Sequence, residues 1–198
     1  MLQVFDALIN SYIDNKVGIT EDFLSPRLAE DLKQNLIDLY ATKQMSSAGI
    51  GNHAIQGHDK MVRNDKIYWL DKRHDNAHED SFFAVMDDFV SHLNHSCYTG
   101  ITGYEFHYAL YEKGSFYKKH LDQFQNNESR QYSMIIYLNK GWVPADGGQL
   151  AIHHANQKVQ QVDPVSGKTV FFKSSELEHE VLMTIKPRMS ITGWLKRG

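Results

Sequence analysis

Tyr111-Glu112-Lys113-Gly114-Ser115-Phe116-Tyr117-Lys118-Lys119-His120-Leu121-Asp122 closes a β-type run with a His-x-Asp pair and then gives way to a polar loop. Residues i and i+2 of a strand point the same way, so His120 and Asp122 would project together from a rigid element into a pocket. A mononuclear metal centre with open positions commonly uses two imidazoles and one carboxylate on one face of the ion. A His-x-Asp supplies two of those three ligands. The pattern alone is weak, because chance gives about 0.8 occurrences in a chain of this composition. A second one, His78-Glu79-Asp80, is present. It stands in a run of charges ahead of an apolar helical stretch, where Asp80 suits a helix N-cap, and it reads as a solvated helix start.

Downstream, the apolar-alternating run Leu177-Glu178-His179-Glu180-Val181-Leu182 offers a third ligand, His179, on another strand. Nine residues later Arg188 follows the turn at Lys186-Pro187 and opens the run Arg188-Met189-Ser190-Ile191-Thr192-Gly193-Trp194. Arg188, Ser190, Thr192 and Trp194 share one face of that strand, and Met189, Ile191 and Leu195 the other. An arginine on the inner face of a sheet is costly unless it meets a carboxylate, which its planar fork matches with two parallel hydrogen bonds. Eight short β-rich runs follow residue 100: 104–111, 116–120, 131–138, 148–153, 158–162, 169–173, 178–185 and 188–196. Turn signals at Gly114, Asn126-Asn127, Asp146-Gly147-Gly148, Pro164-Val165-Ser166-Gly167 and Lys186-Pro187 separate them.

Upstream the period is helical. Leu2, Phe5, Leu8, Ile9, Tyr12 and Ile13 follow 3.6-residue spacing, and Val17-Gly18-Ile19-Thr20 reads as a short strand. Ser25 as N-cap and Pro26 at the first helical position start a helix striped by Leu28, Leu32, Leu36 and Leu39. A third helix is expected over about 80–95, with Phe82, Phe83, Met86, Phe89, Val90 and Leu93 on a broad apolar face. The segment 46–57, polar and glycine-containing, reads as a mobile loop. Helices followed by eight strands predict an α+β fold, a jelly roll (double-stranded β-helix) with N-terminal helices packed on one sheet. We read 1–198 as a single domain, 1–99 mainly helical support and 100–198 the jelly-roll core.

The 198 residues and 41% hydrophobic content suffice for a substantial core. A net charge of -3 argues against nucleic acid or an anionic membrane surface as partner. The one cysteine, Cys97, makes no intrachain disulfide, and the N-terminal residues lack the pattern of a secretion signal. With no apolar window long enough for a membrane span, a cytoplasmic protein is expected. Eleven histidines point toward metal chemistry.

The quoted stretch resembles the Tyr-x-x-Gly-x-x-Tyr-x-x-His-x-Asp signature of 2-oxoglutarate- and Fe(II)-dependent prolyl hydroxylases. The spacing from His179 to Arg188 is that family's, and Ile135-Ile136-Tyr137-Leu138-Asn139 with Gly147-Gly148-Gln149-Leu150 is similar to its middle strands. Val62-Arg63-Asn64-Asp65-Lys66-Ile67-Tyr68-Trp69 looks like its loop before the core. The resemblance covers about residues 60–198 and is nearest to bacterial relatives of the oxygen-sensing prolyl hydroxylases. It departs at Gln123, where those enzymes usually carry asparagine after the aspartate.

The resemblance implies Fe(II) held by His120, Asp122 and His179, with 2-oxoglutarate as cosubstrate, dioxygen as oxidant and ascorbate as an optional supporting reductant. By the same resemblance Arg188 and Tyr137 bind the distal carboxylate of 2-oxoglutarate, Tyr111 lines the cosubstrate pocket, and Arg130 and Trp194 contact the substrate. The implied reaction hydroxylates a prolyl residue of a protein or peptide, releasing succinate and carbon dioxide. Two alternatives remain open: the same oxygenase chemistry on a free amino acid or small molecule, and a non-catalytic metal-binding sensor module. The oligomeric state is not legible.

Overall fold

Residues 1–49, 62–123 and 128–198 are described here in a computed structural model of the chain. Its elements in chain order are α1 (Leu2–Asn15), β1 (Val17–Thr20), α2 (Pro26–Ala41), β2 (Ser46–Ser47), β3 (Lys66–Trp69), α3 (Ala77–Cys97), β4 (Gly103–Tyr111), β5 (Tyr117–His120), β6 (Arg130–Tyr137), β7 (Leu150–His153), β8 (Val159–Val162), β9 (Thr169–Lys173), β10 (Glu178–Val181) and β11 (Arg188–Lys196). They form a seven-stranded sheet in the order β1-β9-β6-β11-β4-β3-β2 and a four-stranded sheet in the order β5-β10-β7-β8. Each pairing between these strands is antiparallel. This is the double-stranded β-helix expected from the sequence.

Strict alternation on the long central strands sorts the side chains. Ile191 and Leu195 of β11, Phe106, Tyr108 and Leu110 of β4, and Met134 and Ile136 of β6 join the core shared with the helices. That core also takes Phe5, Leu8, Leu32, Leu36, Phe82, Met86 and Phe89. Each such side chain, fully buried, contributes roughly 1.5–3 kcal/mol, so the helices are held by packing rather than by their own propensity. The opposite faces of the same strands meet the small sheet around Ala109, Tyr111, Ile135, Tyr137, Leu150, Ile152, Phe172 and Val181. Gly193 lets β11 lie this close to β4, since a Cβ there would sit 2.2 Å from the Glu105 carbonyl oxygen and 2.3 Å from the Phe106 ring.

Several boundaries differ from the sequence expectation. Helix α3 begins at Ala77, and its N-cap is Asn76, not Asp80; the Asn76 side chain accepts hydrogen bonds from the His78 and Glu79 amides at 3.0 and 3.1 Å. Asp80 lies inside the first turn, where a negative charge favours the helix dipole. Ser25 caps α2 as expected, its side chain accepting from the Leu28 amide at 3.2 Å. The expected strand 178–185 ends at Val181. Beyond it the backbone turns away, with Thr184 accepting from the Gly114 amide at 2.7 Å and donating to Ser115 at 3.1 Å. Ser46–Ser47, expected in a loop, pair with β3, while residues 50–57 of that expected loop lie outside the described residues. Lys66–Trp69, expected as loop, is a sheet strand in register with β4. Strand β1 covers the outer edge of β9, with Val17 opposite Phe172. Among the described residues, no helix is long and apolar enough to cross a membrane.

Candidate metal and cosubstrate site

Antiparallel pairing of β5 with β10 sets His179 directly opposite His120. Asp122, two residues past His120, completes a cluster whose ligand atoms all lie within 4.8 Å of one another. Nε2 of His120 is 3.5 Å from Asp122 Oδ1, and Nε2 of His179 is 3.5 Å from Asp122 Oδ2. Each imidazole is oriented from behind: Nδ1 lies 2.7 Å from the Lys118 carbonyl oxygen in His120 and 3.2 Å from that of Leu177 in His179. A carbonyl accepts only, so Nδ1 carries the hydrogen and donates, leaving each Nε2 lone pair free for a metal. Asp122 accepts from the Ser133 hydroxyl at 2.6 Å, and Ser133 lies 2.9 Å from the hydroxyl of Ser174.

Burial alone would raise the Asp122 carboxyl, but His179, His120 and the Ser133 hydroxyl together hold it well below the usual carboxylate range. Burial lowers His179 below the ordinary imidazole value, against the opposing pull of Asp122. The set is two imidazoles and an ionised carboxylate converging on one point, a donor set that suits Fe(II) with open positions. The rival pair is not assembled, since His78 lies 3.9 Å from Asp31 and belongs to no metal-binding group among the described residues.

Arg188 opens β11 opposite Tyr111 and is buried. Its Nε donates to the Gly148 carbonyl at 2.8 Å, while Nη2 has no partner. No carboxylate lies within ion-pair distance of it among the described residues, contrary to the requirement read from the sequence. The guanidinium carbon sits 4.9 Å from the Tyr111 ring centroid and 5.0 Å from that of Tyr137, whose hydroxyl is also unpartnered. Burial pushes the Tyr137 phenol up to about 12, against the pull of Arg188, so it stays a neutral donor. Gly148 adopts φ +66°, and a Cβ there would sit 3.0 Å from Arg188 Cδ. Arg188 and Tyr137 thus leave a buried cationic donor and a buried hydroxyl side by side that no described residue satisfies, an arrangement with room in its hydrogen bonding for a carboxylate.

On the same face of β4 and β11 as Tyr111 and Arg188 the side chains stack. The Arg130 guanidinium lies 3.4 Å over Trp194, Trp194 is 5.6 Å from the His107 ring, and His107 is 5.0 Å from Trp69. Arg130 also pairs with Glu105 at 2.8 Å, and Lys196 with the same carboxylate at 2.9 Å. His107 Nδ1 and Trp194 Nε1 are buried without partners. Arg130 and Trp194 thus lie together, and His107, to which the resemblance assigns no role, sits between Trp194 and the Trp69 of the stretch that resembles the family's loop. The sequence carries a signal for His107: counting back by twos from Tyr111 gives Ala109, His107 and Glu105 on the inner face.

The profile of the 2OG-Fe(II) oxygenase superfamily matches residues 106–196. A prolyl-4-hydroxylase from Pseudomonas putida superposes with a TM-score of 0.88 at 32% identity, over 98% of this chain and 99% of that one. A prolyl hydroxylase from Trichoplax adhaerens, solved with a peptide fragment of the hypoxia inducible factor oxygen degradation domain, gives 0.85 at 27% identity, over 98% and 89%. The epimerase SnoN, solved with Fe3+, alpha ketoglutarate and a nogalamycin compound, shares the fold alone, with 0.72 at 10% identity over 100% and 85%. On the expected motifs, the superfamily match and full-length likeness to the Pseudomonas enzyme, the chain belongs to the 2OG-Fe(II) oxygenase superfamily as a dioxygenase of the prolyl 4-hydroxylase type.

Proposed function

We propose that this enzyme hydroxylates a prolyl residue within a protein or peptide of the cytoplasm, converting 2-oxoglutarate and dioxygen to succinate and carbon dioxide as it does so. Its superfamily uses Fe(II) as cofactor with 2-oxoglutarate and dioxygen as cosubstrates. In this reading His120, Asp122 and His179 hold the iron, which when bound supplies oxidation of an unactivated C–H bond. Arg188 and Tyr137 take the distal carboxylate of 2-oxoglutarate, Tyr111 walls its pocket, and Arg130 and Trp194 meet the substrate. The chain's part is positional. Burial around Arg188 keeps water from competing for the guanidinium, and the Ser133 hydroxyl keeps Asp122 oriented and ionised.

The observation that carries the substrate class is that the charged side chains around Trp194 and Tyr117 are already paired with one another. Arg130 and Lys196 share the single carboxylate of Glu105, and Arg63 pairs with Asp65 at 2.6 Å. A free amino acid would need partners for both its ammonium and its carboxylate, and those charges are already engaged with each other. A neutral main chain, held by hydrogen bonds and one ring-reading pocket, suits such a surface better. The solved relative with a bound peptide fragment is in keeping with this.

The test supplies Fe(II), 2-oxoglutarate and air with free proline, a proline-containing peptide library or whole lysate, and follows succinate release against hydroxyproline by mass spectrometry. Coupled turnover on peptides or proteins is expected. Efficient turnover of free proline with none on peptides would overturn the reading in favour of a small-molecule oxygenase.

A further inference from the structure

The two imidazoles of the cluster are supported very differently. His179 is enclosed between the sheets, with 5% of its side chain exposed and its ring edge-on to Phe172 at 4.9 Å. His120 is at the end of a four-residue edge strand, with 16% of its side chain exposed and the solvent-facing Leu121 next to it. The register between β5 and β10 also slips next to the pair. The hydrogen bond to Lys118 fixes one direction in the His120 ring but leaves its plane to be set by something else.

That something is a stack. The Tyr117 ring lies parallel to His120, with centroids 3.6 Å apart at 16°, and the Arg63 guanidinium carbon lies 4.2 Å from the Tyr117 centroid. Arg63 is itself clamped by the fully buried Asp65 through Nε and Nη2, at 2.8 and 2.6 Å. Main-chain contacts tie the same segment to the ligand strand. Lys118 donates to the Val62 carbonyl at 2.9 Å, Phe116 donates to Asn64 Oδ1 at 2.9 Å, and Arg63 and Tyr117 form an isolated bridge. A two-point carboxylate pair holds a guanidinium in one plane, a cation over an aromatic face is attracted by its quadrupole, and the tyrosine ring transmits that plane to the imidazole.

We propose that Arg63, fixed by Asp65, is a positioning residue that sets the ring plane of His120 through Tyr117, and so the metal affinity of the site. The inference rests on the reading of His120 as a metal ligand. Groups behind the ligands of a metal typically change its affinity by about 10–100-fold when removed. The stack stands on the more exposed of the two imidazoles, where its loss is not masked by core packing.

The experiment titrates Co(II) into the metal-free enzyme, reading the dissociation constant and the ligand-field absorption. Thermal unfolding is recorded beside it. Tyr117→Phe keeps the ring and Tyr117→Leu removes it. The double variant Arg63→Gln/Asp65→Asn removes both charges together, so no lone carboxylate is left buried. Tyr117→Phe is expected to bind Co(II) like the wild type. Tyr117→Leu and the double variant are expected to bind about tenfold or more weakly, with a shifted ligand-field band. Wild-type Co(II) affinity and spectrum in a folded Tyr117→Leu or a folded double variant would overturn the proposal, even if the melting temperature falls. Should Tyr117→Leu fail to fold, the double variant decides alone. His120→Ala and His179→Ala separate the two levels. Unchanged Co(II) binding in both refutes the metal site, whereas its loss in both with no effect of the stack variants refutes only the role of Arg63.

Discussion

One sheet carries two unlike surfaces. On the helix side of β4, β6 and β11 lie Phe106, Tyr108, Leu110, Met134, Ile136, Ile191 and Leu195, joined in a continuous apolar core. On the other side of the same strands lie His107, Tyr111, Ser133, Tyr137, Arg188, Ser190 and Trp194, all of them buried and several with unpartnered polar atoms. The difference comes from a period of two and nothing else. Because a residue and its neighbour face opposite surfaces, stability and chemistry are written in alternate letters, and substitutions one position apart should fail in different ways.

The sharpest break is at the cluster. Asp122→Ala should abolish succinate release, because it removes one ligand and leaves two imidazoles without their shared charge. Circular dichroism and melting should stay near wild type, since the side chain projects between the sheets rather than into the helix-side core. Next comes Arg188→Ala, which should weaken 2-oxoglutarate binding in calorimetry by on the order of 3–5 kcal/mol, the cost of removing one partner from a desolvated charge pair. Arg188→Lys should restore only part of this, because an ammonium lacks the planar fork.

On the opposite surface, Leu195→Ala should lower unfolding free energy in denaturant by about 2–5 kcal/mol while leaving Co(II) and 2-oxoglutarate affinities within twofold. A large loss of metal affinity there would show that the two faces are coupled. The smallest effect concerns His107. Burial, with Arg63 and Arg130, lowers its imidazole from 6.5 to about 4, against Asp65 and Asp122. The unfolded chain therefore takes up this proton first. The contribution is flat above pH 6.5 and becomes destabilising as pH falls toward 4, by at most about 3 kcal/mol. His107→Met should flatten that part of the acid limb in denaturant titrations at successive pH values.

The same alternation explains what was legible. The eight strand runs after residue 100 and the cluster His120, Asp122 and His179 depend on local patterns, an i and i+2 spacing or a run bounded by turns, and these survive in a linear reading. Asn76 and Asp80 are both good capping residues four positions apart, and only the packing of the first turn of α3 decides between them. Strand β3 carries Lys66 beside half-buried neighbours and becomes a strand by pairing with β4. The carboxylate expected beside Arg188 is not found among the described residues, because strand alternation places Arg188 on the inner face without specifying what meets it there. Arg63 meets Tyr117 across more than fifty residues, a contact that no local period announces.

Strand β1 has a consequence for handling the protein. It is the outermost strand of the large sheet, and with α1 leading into it, it shields the hydrogen-bonding edge of β9. Its Val17 lies opposite Phe172, whose ring supports His179. Trimming the chain beyond Lys16 would leave β9 as a bare, apolar edge of the kind that invites chain-to-chain pairing and precipitation. The same cut would loosen Phe172, one strand in from β1, and with it the aromatic backing of His179 in the facing sheet. Affinity tags should therefore be added ahead of the exposed Met1 rather than in place of the first helix.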